Sequence, residues 1–236
     1  MDKLPPYIRL IALFLMKRMQ ERRLVHCTLN SIRPGKYVER FRSDAKAEGD
    51  LDTIGGYDGA QEARWFFVKL TKHSAPWAFE KGEPFRSIAS LELLGSLLGV
   101  MLLVDKSGKA QGCHGGVLSV GALTDNSGNR FAVTKMLCTK WPLTAFVAEL
   151  AVQLELGQIL FQMDWVPREQ NQEADSITNG NVQWLNPLKE AHVSLNDLPF
   201  EILPVLLAEG SAFYANLEHV NAAADGRRNS TGHPYG

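Results

Sequence analysis

Cysteine is scarce in this 236-residue chain: Cys27, Cys113 and Cys138 are an odd number, with no C-x-x-C spacing and no paired-histidine pattern beside them. That supports neither a disulfide framework nor a zinc site, and it leads us to expect reduced thiols in an intracellular protein. A membrane span is also lacking near the N-terminus. The apolar stretch from Tyr7 to Met16 is interrupted by Arg9 and followed by Lys17, Arg18, Arg22 and Arg23, which is too short to cross a bilayer. Its charges follow the apolar part, the reverse of a secretory signal. No membrane partner is expected. Net charge is small as well, at −1, but unevenly distributed. Residues 1–43 hold ten Lys/Arg against three Asp/Glu, a balance of +7, and the remainder carries −8. The basic arm admits two readings, a phosphate contact or a solvated helix face.

What is present is a composition of 45% apolar and 22% charged residues, enough for one substantial core with an appendage. Taken in order, Tyr7 to Val25 reads as a helix with its charge concentrated at the end, followed by a loop over Ser31–Lys36. Three strands follow: Tyr37–Lys46, reaching its end at Asp44; Leu51–Tyr57, after a turn built from Gly49, Asp50 and Asp52; and aromatic-rich Ala63–Leu70. Strands joined by turns make an antiparallel meander. Gly55 and Gly56 allow another backbone to come close to the second strand. A loop over His73–Phe85 leads to the strongest helical stretch, Arg86–Leu103. It is almost wholly apolar apart from three serines and Glu92, and Gly95 and Gly99 let it sit close to the sheet. An ionised glutamate in such a helix is destabilising unless paired or coordinated.

The glycine-rich loop Asp105–Gly116 precedes a strand over Val117–Leu123, then Thr124-Asp125-Asn126-Ser127-Gly128-Asn129. Two helices, Phe131–Thr139 and Leu143–Leu156, follow, and Glu149 and Glu155 are expected to face water. A last strand, Ile159–Trp165, closes at Pro167, passes through Arg168-Glu169-Gln170 and enters a helix near Asn171. Asn171 and Asp175 share one face of that helix, and an acid directed inward there needs a cation to meet it. Beyond Gly180, the stretches Phe200–Leu207 and Phe213–Leu217 suggest one or two helices, and Asp225–Gly236 a disordered tail.

The pattern W-V-P-x-x-x-N-x-x-A-D, Trp165 to Asp175, resembles the last strand, loop and helix of ribonuclease H-type domains, particularly those of retroelement polyproteins. Asp44 on the first strand, Glu92 on the first long helix and Asp125 after the fourth strand match the other stations in type and order. The resemblance covers about 136 residues, from Asp44 to Asn179. It implies an α/β (α+β mixed sheet) architecture, a ribonuclease H-like fold whose five-stranded mixed sheet has its first three strands antiparallel and helices flanking it. To this are added an N-terminal helix and a C-terminal helical extension. The expected divisions are a basic arm and linker over residues 1–36, a ribonuclease H-like domain over 37–180 and an extension with its tail over 181–236.

For the site, the resemblance implies Asp44, Glu92, Asp125 and Asp175 as catalytic and metal-holding residues for two Mg²⁺ or Mn²⁺ ions. Asp44 would bridge the ions, Glu92 and Asp125 would complete one shell and Asp175 would hold the second. Four bare carboxylates cannot gather unaided, since two about 4 Å apart repel by roughly 4 kcal/mol at an effective dielectric near 20. Oxygen-only donors suit hard cations. Asn126, Ser127, Asn129 and Asn171 are the candidate nucleic-acid contacts, with helix capping as the competing role at Asn126, Ser127 and Asn129.

The implied reaction is cleavage of the RNA strand of an RNA–DNA hybrid, and the implied partner a reverse transcriptase, attached or separate. No paired-aspartate polymerase turn lies upstream in this sequence. The histidine that many of these domains carry in the last strand-to-helix loop is replaced here by Pro167-Arg168-Glu169-Gln170. The alternative is a catalytically inactive nucleic-acid-binding or interaction domain of a decayed or domesticated element, which predicts displacement of one carboxylate. An exonuclease is disfavoured because the first strand lacks D-x-E, and an integrase because Asp175 stands where a Glu is usual.

Overall fold

Alternation along Glu39–Glu48 puts Phe41, Ser43 and Ala45 on one side of a strand and Arg42, Asp44 and Lys46 on the other, and the structure is organised about that strand. The computed structural model describes residues 6–20, 39–59, 63–80, 82, 84–104 and 118–213. The chain forms two compact units, Val25–Leu203 and Met1–Leu24 with Pro204–Gly236. In the smaller unit, α1 is Pro6–Gln20. A further helix, α7, covers Leu203–Phe213. The expected loop over residues 31–36, the glycine-rich loop over 105–116, a helix beyond Phe213, the tail, Cys27 and Cys113 lie outside the described residues. Cys138 is a free thiol.

In the larger unit, β1 (Glu39–Glu48), β2 (Leu51–Asp58) and β3 (Trp65–Thr71) form the meander, with Asp44 opposite Gly55 and Thr53 opposite Lys69. The turn from β1 to β2 is allowed by Gly49 at φ +60°. β4 (Leu118–Thr124) pairs parallel with β1, and β5 (Ile159–Trp165) parallel with β4. The order β3-β2-β1-β4-β5 is the expected five-stranded mixed sheet. Several boundaries differ from the sequence reading: the helix expected over Phe131–Thr139 runs Ser127–Lys135, four residues earlier. β1 runs four residues past Asp44, because Lys46, Ala47 and Glu48 keep pairing with β2. The loop before the long helix holds the single-turn helix α2 (Pro76–Phe79) and a 3₁₀ turn over Pro84–Ser87.

α3 (Ile88–Leu102) packs on β1, β2 and α5 (Leu143–Gly157). The span Pro84–Leu102 is long and apolar enough to cross a membrane, but its apolar faces are the interior of this unit, where Leu91, Leu93, Leu94, Leu97 and Leu98 are fully buried. A side chain at Gly99 would meet the Phe41 ring at 2.4 Å, so helix and strand touch where no larger residue fits. α6 (Gln172–Thr178) lies on the opposite face: a Cβ on Gly55 would meet Ile177 at 2.5 Å, and Gly55 points away from neighbouring Ile54, which contacts α3. α4 (Ser127–Lys135) contacts β4, β5 and α3. Trp65 clusters with Ile177 and Leu185, its indole donates to the Asn186 carbonyl at 2.9 Å, and its carbonyl accepts from Ala191.

Three acids depart from their expected places. Asp52 is inside β2 rather than in the turn, fully buried, and neither carboxylate oxygen has a hydrogen-bond partner. Glu149 does not face water. It is buried on α5 and accepts from Gln153 at 2.8 Å and from the backbone N–H groups of Glu201, Ile202 and Leu203 at 2.8–3.0 Å. Glu155 is half-buried. Two buried carboxylates thus call for opposite responses to amide substitution. Burial raises the Asp52 carboxyl to about 6, so stability is lost as pH climbs from about 4 through 6. Asp52→Asn is expected to stabilise the fold by about 1–2 kcal/mol at pH 7.5 and by almost nothing at pH 4. Glu149→Gln turns an acceptor into a donor among four donors and is expected to cost about 2–4 kcal/mol. Urea denaturation of both variants at the two pH values checks the contrast.

Candidate metal and active site

Parallel pairing between β1 and β4 ends at Arg42 opposite Leu123, while β1 continues to Glu48 and β4 stops at Thr124. The strands part there, at the point where the sheet order reverses, the kind of crevice in which open α/β sheets place ligands. Asp44 lies two residues beyond the last pair, and Asp125 one residue past the end of β4. Glu92 reaches the same notch from the second turn of α3. Carboxylate oxygens of Asp44, Glu92 and Asp125 all lie within 4.8 Å of one another.

Three like charges at that spacing repel by roughly 3 kcal/mol per pair at an effective dielectric near 20. The site responds by holding protons. Burial first, and then the charge of Asp125, raise Asp44 to about 7; Asp175 adds to this, while the Ala45 backbone N–H and Arg168 oppose it. Glu92 is raised to about 8, again by burial first and then by Asp125 and Asp44, against a hydrogen bond from Asn126 and the charge of Arg168. Asp44 accepts from the Thr178 hydroxyl at 3.5 Å. An all-oxygen set of crowded, poorly neutralised acids fits a hard divalent cation, and the residues that would hold it are these three.

Asp175 stands apart from the triad. On α6 it is near enough for its charge to act on Asp44, but its Oδ1 accepts from Arg168 at 2.9 Å and its Oδ2 from the Asn179 amide at 3.0 Å. Asn179 is itself held by Lys46 of β1 at 3.0 Å. The loop bearing Arg168 is a 3₁₀ turn, Arg168–Gln170, pinned from β1 because Arg42 donates to the Gln170 carbonyl. Arg42 also pairs with Glu39 at 2.5 Å and lies 4.0 Å from Glu173. One cation of the basic N-terminal stretch is therefore spent inside the fold.

The four polar residues expected to meet nucleic acid divide into two pairs. Asn126 caps α4, its side chain accepting from the Asn129 N–H at 3.1 Å, and Ser127 is exposed on the first turn. Asn129 and Asn171, each 1% exposed, are corrections: their side chains are inside the protein and present no surface to a strand. Asn129 donates to the Ala89 carbonyl at 2.9 Å and to Glu92 at 3.4 Å, tying α4 to α3 and orienting the glutamate. Asn171 precedes α6 and donates to the Ser43 carbonyl at 3.5 Å, fixing α6 beside Asp44. Each keeps its Oδ1 buried without a hydrogen-bond partner.

Comparison with solved structures finds similarity at low identity. The chain is similar to ribonuclease H1 of the halophilic archaeon Halobacterium salinarum NRC-1, at 13% identity and a TM-score of 0.39 over 60% of this chain and 95% of that one. It is also similar to the N-terminal ribonuclease H domain of Rv2228c from Mycobacterium tuberculosis, solved as a maltose-binding-protein fusion, at 14% identity and 0.40 over 62% and 96%. A third is LC11-RNase H1 in complex with an RNA/DNA hybrid, at 14% and 0.42 over 61% and 96%. No family model and no curated protein matches the sequence.

Sequence reasoning missed Arg42, Asn179 and the ion pair of Arg168. Arg42 and Arg168 act across elements or turns with no local pattern to announce them, whereas Asn179 lies four residues from Asp175, a helical spacing the sequence did offer. Trp165, the first residue of the motif, has a contact the motif did not announce: it is 48% exposed, and its indole donates to the Asp125 carbonyl at 2.9 Å and steadies the loop that carries that acid.

Crowding of the triad has a measurable consequence without metal. A carboxyl whose folded pKa is raised loses stability as pH rises from its unfolded value, about 4.5 for Glu92, to the folded value near 8. In chelator, Glu92→Gln is expected to raise the melting temperature by roughly 4–8 °C at pH 8, about 2 kcal/mol, with the gain vanishing near pH 4.5. Thermal melts across that range check it.

Proposed function

We propose that this chain is an intracellular two-metal-ion endonuclease of ribonuclease H type. It would hydrolyse the RNA strand of RNA–DNA hybrids in a retroelement setting, attached to a reverse transcriptase or acting beside one. The observation that carries the reading is the convergence of Asp44, Glu92 and Asp125, from three separate elements, within 4.8 Å at the β1/β4 notch. Nothing in folding favours such a gathering, and function is its best account. The motif from Trp165 to Asp175 is what points to retroelements.

Mg²⁺ or Mn²⁺ would be held by Asp44, Glu92 and Asp125, with Asp175 facing Asp44 from α6. The chemistry such ions supply is activation of a water and stabilisation of the leaving oxygen of a phosphodiester. The protein's part is to hold its acids in place before substrate arrives: Asn129 orients Glu92, Asn171 seats α6 against β1, and the Ala45 N–H supports Asp44. Ser127 is exposed on the first turn of α4, and Asn126 beside it caps that helix and hydrogen-bonds Glu92.

A second reading, an inactive nucleic-acid-binding domain, has one observation in its favour. The fourth carboxylate is engaged by Arg168 and Asn179 and lies outside the triad. The two readings separate in one assay. With a labelled RNA–DNA hybrid and Mg²⁺ or Mn²⁺, we expect RNA-strand cleavage leaving 3′ hydroxyl and 5′ phosphate ends, reduced at least 10³-fold in Asp44→Asn, which removes a charge the metals need. A folded wild type that binds the hybrid and cuts neither strand would establish the second reading.

A further inference from the structure

The four acids are not equally available to a cation. Asp44, Glu92 and Asp125 face one another with no ion-pair partner for any of them among the described residues, so a divalent ion arriving there displaces no side-chain cation. Asp175 already has a cation. Its two oxygens are held differently: Oδ2 takes the Asn179 amide, which Lys46 anchors to β1, whereas Oδ1 takes a single N–H from Arg168 at 2.9 Å. The Arg168 side chain is 76% exposed, and its charge also reaches Asp44 and Asp125. An exposed single-bonded arginine pair contributes little stability and is easily broken, because water solvates both partners well. The Asn179 arm stays when the arginine leaves.

We infer that Arg168 is a tethered cation occupying the Asp175 carboxylate, so that a divalent ion binding between Asp175 and Asp44 must compete with the guanidinium while one at the triad need not. This rests on the metal-dependent reading above. It makes the two metal positions unequal by construction: the triad fills first, and the Asp175 position fills only as Arg168 swings out. Arg168 touches neither substrate nor reacting atoms in this role; it is a positioning residue that sets metal occupancy. The 3₁₀ turn pinned by Arg42 keeps it within reach, so the competition is intramolecular and persists at every protein concentration.

The test is calorimetric titration of the full chain with Mn²⁺, without nucleic acid, for wild type, Arg168→Gln, Arg168→Lys and Glu92→Gln. Wild type should show one tighter event, abolished by Glu92→Gln, and a second, weaker event or none within the accessible range. Arg168→Gln should strengthen or reveal the second event by tenfold or more and change the first by less than threefold. Arg168→Lys, which keeps the charge, should stay close to wild type. A second event unchanged within twofold in Arg168→Gln overturns the inference and leaves the metal-dependent reading intact. Absence of any Mn²⁺ binding to the folded wild type overturns both. A gain equal at the two events also overturns it, because that is the signature of a general field rather than occupancy of Asp175.

Discussion

How close α3 can come to the sheet decides most of what this protein is. Gly99 rests on the Phe41 ring and Gly95 on Ile54 and Ser43; a methyl group at Gly99 would force ring or helix to move, and one at Gly95 would ask its neighbours to give by a few tenths of an ångström. Glu92 sits one to two turns before these glycines, so the same contact sets how far its carboxylate reaches into the notch. Sub-ångström shifts matter there, because the energy of three carboxylates within 4.8 Å and the usefulness of that arrangement to a cation both depend steeply on separation. The core packing and the site geometry are one constraint.

Buried acids meet three fates in this fold, and comparing them separates structure from function. Glu149 is fully supplied with donors, one side-chain amide and three backbone N–H groups, which is how a carboxylate serves architecture. Asp52 is supplied with none and is tolerated at a cost. The triad lies between: Asn129, Asn126 and Thr178 reach its members, but too few donors converge to neutralise three charges. What separates the triad from Asp52 is the convergence of three acids within 4.8 Å, not the shortage of donors alone.

Much of this was legible in the chain itself. The meander, the apolar helix around Glu92, the order of the acids and the closing strand all follow from periodicities and turn residues of short range, and Glu92 stood out because an acid in an apolar helix demands a reason. What was not legible is long-range. Glu149 lies on α5 among apolar neighbours much as Glu92 does on α3, and only the arrival of the 201–203 segment distinguishes a structural acid from a candidate ligand. Asn129 and Asn171 have the composition of surface readers, yet tertiary packing turned both inward. Arg168 looked like a bare loop residue because its partner is seven positions away, across a turn whose shape is imposed by Arg42 from another strand.

The contacts of Glu149 and Trp65 also bear on where this protein can be cut. The resemblance of pattern fades after Gly180, which invites an expression fragment ending there. Such a fragment would strip Leu185 from the Trp65 cluster, remove the Asn186 carbonyl that receives the indole, and leave Glu149 a buried charge facing three missing amides. The smallest fragment that keeps those contacts closed ends at Leu203 or later, and proteolytic trimming short of that point would unmake the core from a side remote from its acids.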